Sequence, residues 1–493
     1  MKSIRHSVVF LVGLMGLVQG FFGGSQLLAK ASCTEKQSAV ASPNGIDVQG
    51  LAADSIAPKM QWFADAKLGI FIHWGMYAAD GTSESWAFHN KTVPYAQYMS
   101  QMNRFSAENY NPAAWAQLIK ESGAKYCVIT TKHHDGLSLY NTQLKTPQGG
   151  KQKIWNPKYP LSTTYQTPAK RDLISPLFAE LEKAGLKKGA YYSLLDWTSN
   201  DYPGFYKDSS RYQLKDDSLR WAHFIAFMHG QITEINTQLK PDLFWFDGDW
   251  EHSETEWQAA KIDSIIHQTN PNAILNGRLK SFGDYDTPEQ NMPVMHPERN
   301  TWELCLTTND NWGYRPQDHN FKSHFELLSI FTECLGMGGN LLLDIGPKAD
   351  GTIPAEQIAI LKEFGRWTQK HSTAIYGTIA GLPYGHYHGN TTLSKDSTVL
   401  NIFIPSPQEN ISDQCKLMFP IYIKGLKSVP KSITLIGSQT QITSHEVGKI
   451  SWSSVPGTLF LEIPISEMDP MISVVQIQFK EPIQLYRGKG GFH

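Results

Sequence analysis

The stretch "PDLFWFDGDW", residues 241–250, sets four apolar residues, Leu243 to Phe246, directly before Asp247, Gly248 and Asp249. A short apolar run bounded by Pro and Gly reads as a strand buried on both faces, the kind found in parallel sheets. Its end has two readings. Asp followed by Gly is an ordinary strand terminator. A carboxylate at the C-terminal end of a buried parallel strand is also where α/β barrels place catalytic groups. The rest of the chain decides between them.

Five more segments share the pattern: "LGIFIHWG" (68–75), "AKYCVITTKHHDG" (124–136), "LKKGAYYSLLDW" (186–197), "NAILNGR" (272–278) and "GGNLLLDIGP" (339–347). Helical patterns at 111–123, 173–185 and 217–239 lie between them, and the first two stop at Gly, a common helix terminator. This alternation predicts a (β/α)8-like barrel over 58–378 rather than an open sheet. No G-x-G-x-x-G follows a strand and no G-x-x-x-x-G-K occurs, so a nucleotide-binding fold lacks its fingerprint. Beyond residue 378, "TVLNIFIP", "YIKGLKSVPKSITLIG", "GTLFLEIPI" and "SVVQIQF" are short runs broken by Pro, Gly, Ser and Asn. They predict a C-terminal antiparallel β-sandwich over 379–493.

At the N-terminus, Lys2 and Arg5 precede an apolar stretch from Val8 to about Gly24, followed by Ala29-Lys30-Ala31. That is the form of a secretory signal peptide, 1–31, with small residues where a signal peptidase reads. A small, polar linker over 32–57 follows. The mature protein is expected to be secreted or periplasmic, with no membrane span after cleavage. Lys30 stands three before Cys33, where a lipobox has an aliphatic residue, and this disfavours a lipid anchor. A formal net charge of −2 gives no electrostatic reason to expect nucleic acid or an anionic membrane as partner. The five cysteines form no C-x-x-C pair and are odd in number, which indicates neither a disulfide scaffold nor a zinc knuckle.

Polar residues recur at the predicted strand ends: His73 and Trp74; His133, His134 and Asp135; Tyr191, Tyr192, Asp196 and Trp197; Trp245 and Asp247; then Arg278, with Glu289 beyond it. Glu303 in "TWELC" is a further candidate. Recurrence at successive strand ends raises Asp247 above the plain turn reading. Carboxylates among neutral donors and aromatics suit glycoside hydrolysis, which needs one carboxylate as nucleophile or base and one carboxyl as acid. Two alternatives stay open. "HHD" (133–135) with His73 and Asp247 has the residue types of a barrel metallohydrolase, although no H-x-H or H-E-x-x-H is present. A secreted glycan-binding protein on a hydrolase scaffold would also fit, because fold alone does not prove activity.

The motifs "QWFADAKLGIFIHWG", "AKYCVITTKHHDGLSLYNT", "AYYSLLDW", "LFWFDGDW", "NGR" and "GGNLLLDIGPKADGTI" resemble, in order and rough spacing, the α-L-fucosidases of glycoside hydrolase family 29. The resemblance spans about Gln61 to Gly377. It implies a (β/α)8-like barrel followed by a β-sandwich, retention through a covalent fucosyl-enzyme, a fucosylated oligosaccharide or glycoconjugate as substrate, and no cofactor or catalytic metal. Homo-oligomers are common in the family. By position, Asp247 matches the nucleophile and Glu289 is the first choice for the acid/base, with Glu303 the runner-up. His73, His133, His134, Tyr191 (with Tyr192 as alternative), Trp245 and Arg278 match sugar contacts. Family members commonly have Glu-Trp after the first strand. Here "SESWAF" places Ser85 between Glu84 and Trp86, so both are candidates with the reach of Glu84 in question.

Overall fold

Seven parallel strands form one curled sheet: β1 (Leu68–Ile72), β2 (Tyr126–Lys132), β3 (Lys187–Ser193), β4 (Leu243–Asp247), β5 (Ile274–Leu275), β6 (Glu303–Thr307) and β7 (Asn340–Ile345). Their order is β5-β4-β3-β2-β1-β7-β6. The computed structural model describes residues 56–146, 155–295, 297, 299, 301–406 and 418–488. The expected signal peptide, nearly all of the linker, Cys33 and Cys415 lie outside the described residues.

Both faces of this sheet are covered, which is why its strands read as apolar runs. Phe71, Tyr126, Val128, Tyr191, Leu243, Trp245, Ile274, Cys305 and Leu342 form the inner core. Met60, Phe63 and Ala66, in and just before helix α1 (Gln61–Ala66), belong to that inner core. The alternate set, including Ile70, Ile129, Tyr192, Phe244, Phe246, Leu304 and Leu343, belongs to the outer core shared with the helices. These are α2 (Pro112–Glu121), α3 (Ile174–Ala184), α4 (Ser218–Glu234), α5 (Ala259–Thr269), α6 (His324–Gly336) and α7 (Ala355–Lys370). Asn111 caps α2 by accepting from Ala114 N at 3.1 Å, with Pro112 at the first turn, and Gly185 ends α3 in the left-handed conformation at φ 78°. The helix expected over 217–239 is α4 continued by a π turn, Ile235–Leu239.

The eighth stave of the barrel is not a regular strand. Isolated parallel bridges join Tyr285 to Asn276, Asp286 to Trp302 and Glu289 to Cys305. Residues 285–289 therefore connect the two edges of the sheet, next to β5 on one side and along β6 on the other. Strand β6 itself escapes the sequence reading, because it opens on Glu303 and closes on Thr307 with only three apolar residues between them.

Two antiparallel sheets follow. One orders β8 (Thr378–Ala380), β9 (Thr391–Ser394), β10 (Val399–Pro405), β15 (Ile472–Gln478) and β12 (Ser432–Leu435); the other orders β11 (Met418–Ile423), β14 (Thr458–Pro464) and β13 (Thr443–Val447). Helix α7 joins them to the barrel. Trp367 Nε1 donates to Ile472 O at 2.8 Å, and buried Asp469 accepts from Arg366 at 2.8 and 2.9 Å and from Lys370 at 3.0 Å.

Although burial alone would raise the Asp469 pKa, His371 at 3.9 Å and hydrogen bonds from Arg366, Met471 N and Lys370 hold it far below the ordinary carboxylate value. A depressed folded-state pKa adds stability above the unfolded value, about 4, and loses it as the pH falls further. Asp469→Ala is expected to lower unfolding free energy by about 2 kcal/mol at pH 7. The difference from wild type should shrink in urea titrations below pH 4.

Candidate active site

Asp247 ends β4 two residues after Trp245, so both project to the inside of the barrel. Gly248 then turns the chain at φ 84°, and a side chain there would meet Leu195 Cγ at 2.4 Å. The stretch 241–250 is thus a turn and a presented carboxylate at once. Asp247 Oδ2 accepts from Tyr191 OH at 2.8 Å, and Oδ1 accepts from Arg278 Nη1 at 2.9 Å. His134 Nε2 stands 3.7 Å from Oδ2.

Arg278 follows β5 and spans two carboxylates. Its Nη2 donates to Glu289 Oε2 at 2.7 Å, its Nε to Thr287 Oγ1 at 3.2 Å, and its guanidinium lies 4.5 Å from the centre of the Trp245 ring. Burial opposes its charge, but Asp247, Cys305 and Glu289 more than offset this and hold its pKa above the ordinary value. Glu289 sits on the irregular stave with its side chain 43% exposed, while Asp247 is nearly buried. One carboxylate is therefore fixed deep and the other faces solvent.

Three histidines complete the wall, each with its Nδ1 tied to the protein: His73 to Asp344 Oδ1 at 2.7 Å, His133 to Ser85 Oγ at 2.7 Å and His134 to Ser193 Oγ at 2.6 Å. Burial pushes all three pKa values down, to about 4 for His133 and well below the usual value for the others. They are neutral near pH 7, with Nδ1 already engaged. Rings of His133 and Tyr191 are stacked at 5.6 Å, and Tyr191 and Trp245 at 5.7 Å. Tyr192, the alternative to Tyr191, faces the helices and donates to Gln231 at 2.8 Å.

Four sequence candidates, Glu303, Glu84, Trp74 and Asp135, fall elsewhere. Glu303 opens β6 in the barrel interior, fully buried, and accepts from Trp245 Nε1 at 3.0 Å and from Tyr126 OH. With no solvent exposure it does not reach the mouth. Glu84, in the left-handed region at φ 31°, is buried and accepts from Gly313 N at 2.7 Å. Burial raises its pKa to about 7 against the opposing effects of Gly313 N–H and Arg315. The extra Ser85 fills the space beside His133. Trp86 keeps the mouth, edge-on to His134 at 5.6 Å and parallel to half-exposed Trp250 at 6.3 Å. Trp74 is a packing residue, donating to Lys348 O at 2.8 Å. Asp135 braces Tyr98 at 2.6 Å and caps Leu137 N at 3.1 Å.

Trp312 is the site residue the sequence reading missed. Its ring lies 4.9 Å from His73 and 6.1 Å from Phe71, on a loop after β6 with no local pattern to mark it. Among the described residues, no group of three or more His, Cys, Asp or Glu side chains is placed to hold a metal ion.

The sequence profile described as Alpha-L-fucosidase matches residues 35–373. The chain belongs to the alpha-L-fucosidase family. Human tissue alpha-L-fucosidase is 29% identical over 463 residues, covering 87% of this chain and 89% of that protein. The structure of alpha-L-fucosidase isoenzyme 1 from Paenibacillus thiaminolyticus superposes with TM-score 0.72 at 29% identity, covering 86% of this chain and 99% of that one. The Thermotoga maritima alpha-fucosidase gives TM-score 0.65 at 25% identity, covering 87% and 99%. Each superposition covers most of this chain and nearly all of the other.

The left-handed turn behind Asp247 yields a direct check. Gly248→Ala should destabilise the fold by about 1–3 kcal/mol, from backbone strain and overpacking on Leu195. Thermal unfolding and specific activity should fall together.

Proposed function

We propose that this family member is an exo-acting α-L-fucosidase that hydrolyses fucosylated oligosaccharides or glycoconjugates with retention, Asp247 being the nucleophile and Glu289 the acid/base. The observation that carries the assignment is the Arg278 fork between the two carboxylates. One guanidinium hydrogen-bonds an oxygen of each, which keeps the two carboxylates neighbours, as a nucleophile and an acid/base flanking one glycosidic bond must be. Their unequal exposure supports unequal roles.

In the first step an Asp247 oxygen attacks the anomeric carbon while the bond from that carbon to the aglycone oxygen breaks. The Glu289 carboxyl gives its proton to the departing oxygen. In the second, the Glu289 carboxylate takes a proton from water, whose oxygen attacks the same carbon and releases Asp247 from the ester. Arg278 and Tyr191 hold Asp247 before attack, and the Arg278 charge offsets the carboxylate left when the ester breaks. Neutral His73, His133 and His134 suit sugar hydroxyls, which carry no charge. Phe71, Trp245 and Trp312 offer the apolar surface for the methyl group of a deoxy sugar, a group worth about 1–3 kcal/mol of selectivity. No helix among the described residues is long and apolar enough to cross a membrane. The basic, apolar and small-residue order of 1–31 supports export.

The test is nitrophenol release from 4-nitrophenyl α-L-fucoside, with and without EDTA. Asp247→Gly should lower kcat by about 10³-fold or more, with azide restoring turnover as a fucosyl azide. Glu289→Ala should cost about 10²–10⁴-fold on a natural fucoside and less on the nitrophenyl substrate, whose leaving group needs little protonation. Fucose binding without turnover would instead mark a lectin-like receptor, and loss of activity with EDTA would restore the metal reading.

A further inference from the structure

We propose that Glu303, buried beneath the site, is a positioning residue for both reacting carboxylates, acting through the indole of Trp245. The inference rests on the assignment of Asp247 and Glu289 made above.

Glu303, Cys305 and Thr307 alternate along β6, and Cys305 belongs to the inner core. Glu303 begins this inward row and lies farthest from the mouth. Its two carboxyl oxygens are each used: Oε1 accepts from Trp245 Nε1 at 3.0 Å, and Oε2 accepts from Tyr126 OH. An indole in a core is fixed in position by its neighbours, but its rotation within its own plane is set by the one polar group it has, Nε1–H. Here that group has one acceptor, and it is Glu303.

What rests on the indole explains the consequence. Arg278 lies over one side of the Trp245 ring at 4.5 Å. Tyr191 stacks on it at 5.7 Å with the planes 18° apart. Those two residues are the hydrogen-bond donors to Asp247, and Arg278 is also the donor to Glu289. A rotation of Trp245 would therefore move both hydrogen-bond donors to the nucleophile and the arginine that links the two carboxylates. Burial raises the Glu303 pKa to about 7, against hydrogen bonds from Tyr126 and Trp245 and the charge of Arg278. A glutamate kept in such a place at that desolvation cost is poorly explained by packing alone, since an apolar residue of the same shape would serve the core at least as well.

The experiment measures kcat and KM on 4-nitrophenyl α-L-fucoside per mole of folded protein, the folded fraction being set by each variant's own unfolding transition. Glu303→Ala is expected to lower kcat by about 10- to 100-fold with KM changed less, as misplaced reacting groups do. Glu303→Gln, which keeps an acceptor for Trp245, should recover most of it. In a Trp245→Phe background, where the link is already cut, Glu303→Ala should lower kcat by less than about 2-fold further. Unchanged kcat per folded molecule in Glu303→Ala, or losses that multiply in the double variant, would overturn the proposal. Asp247→Gly is run alongside. If it stays active, the nucleophile assignment fails, while the Glu303–Trp245 coupling is still read from its own four variants.

Discussion

A single guanidinium between two carboxylates is the constraint on which the site depends. Asp247 is almost wholly out of water, and a buried carboxylate without a counter-charge costs several kcal/mol. Arg278 supplies that charge and is itself largely buried, where Asp247 and Glu289 together compensate it and the Trp245 ring lies against it. Each group is tolerable only because the others are present. The deeper of the two carboxylates is fixed from two sides, by Tyr191 and Arg278, which leaves it little freedom to turn away from a bound substrate. The shallower one is held by Arg278 and has open solvent beyond it.

The histidines follow a complementary logic. Placed together within a few ångströms of one another, three charged imidazoles beside Arg278 would repel strongly, and burial already disfavours their charged forms. The pKa depressions of His73, His133 and His134 are the same statement in another form. Each Nδ1 is engaged by Asp344, Ser85 or Ser193, so orientation is set by the protein and Nε2 is the nitrogen left for a ligand. A wall of neutral, oriented hydrogen-bonding groups with aromatic rings between them matches an uncharged polyol with an apolar edge. It matches a phosphate or carboxylate ligand poorly.

Much of this was legible in the sequence, for a physical reason. Strands buried on both faces must be apolar, so a polar residue is conspicuous where it ends such a run, and His73, His133, His134 and Asp247 all stand out in this way. Period-two alternation separates Tyr191 from Tyr192 once the inward face is known, but the sequence does not say which face is inward. Glu303 is eligible in the sequence as a carboxylate within "TWELC"; only the direction of β6 shows that it opens a strand rather than closing one. Trp312 could not be read, because a loop residue has no periodicity and its contact with His73 is made across 239 positions of sequence. The same limit applies to Glu84, whose partner Gly313 lies on that same loop.

The irregular eighth stave accounts for the most ambiguous assignment. A regular strand between β5 and β6 would hold its residues in a ladder, with inward and outward positions fixed by register. Residues 285–289 make only isolated bridges to either side, so the sheet sets where this segment passes and leaves its side chains to local contacts. Glu289 is aimed by Arg278 rather than by a strand. A carboxylate carried in this way is placed by the arginine that reaches it, whereas Asp247 on β4 is held to the register of its strand. In the sequence Asp247 is accordingly marked by the apolar run it ends, and Glu289 has no such mark. Both follow from how the barrel closes.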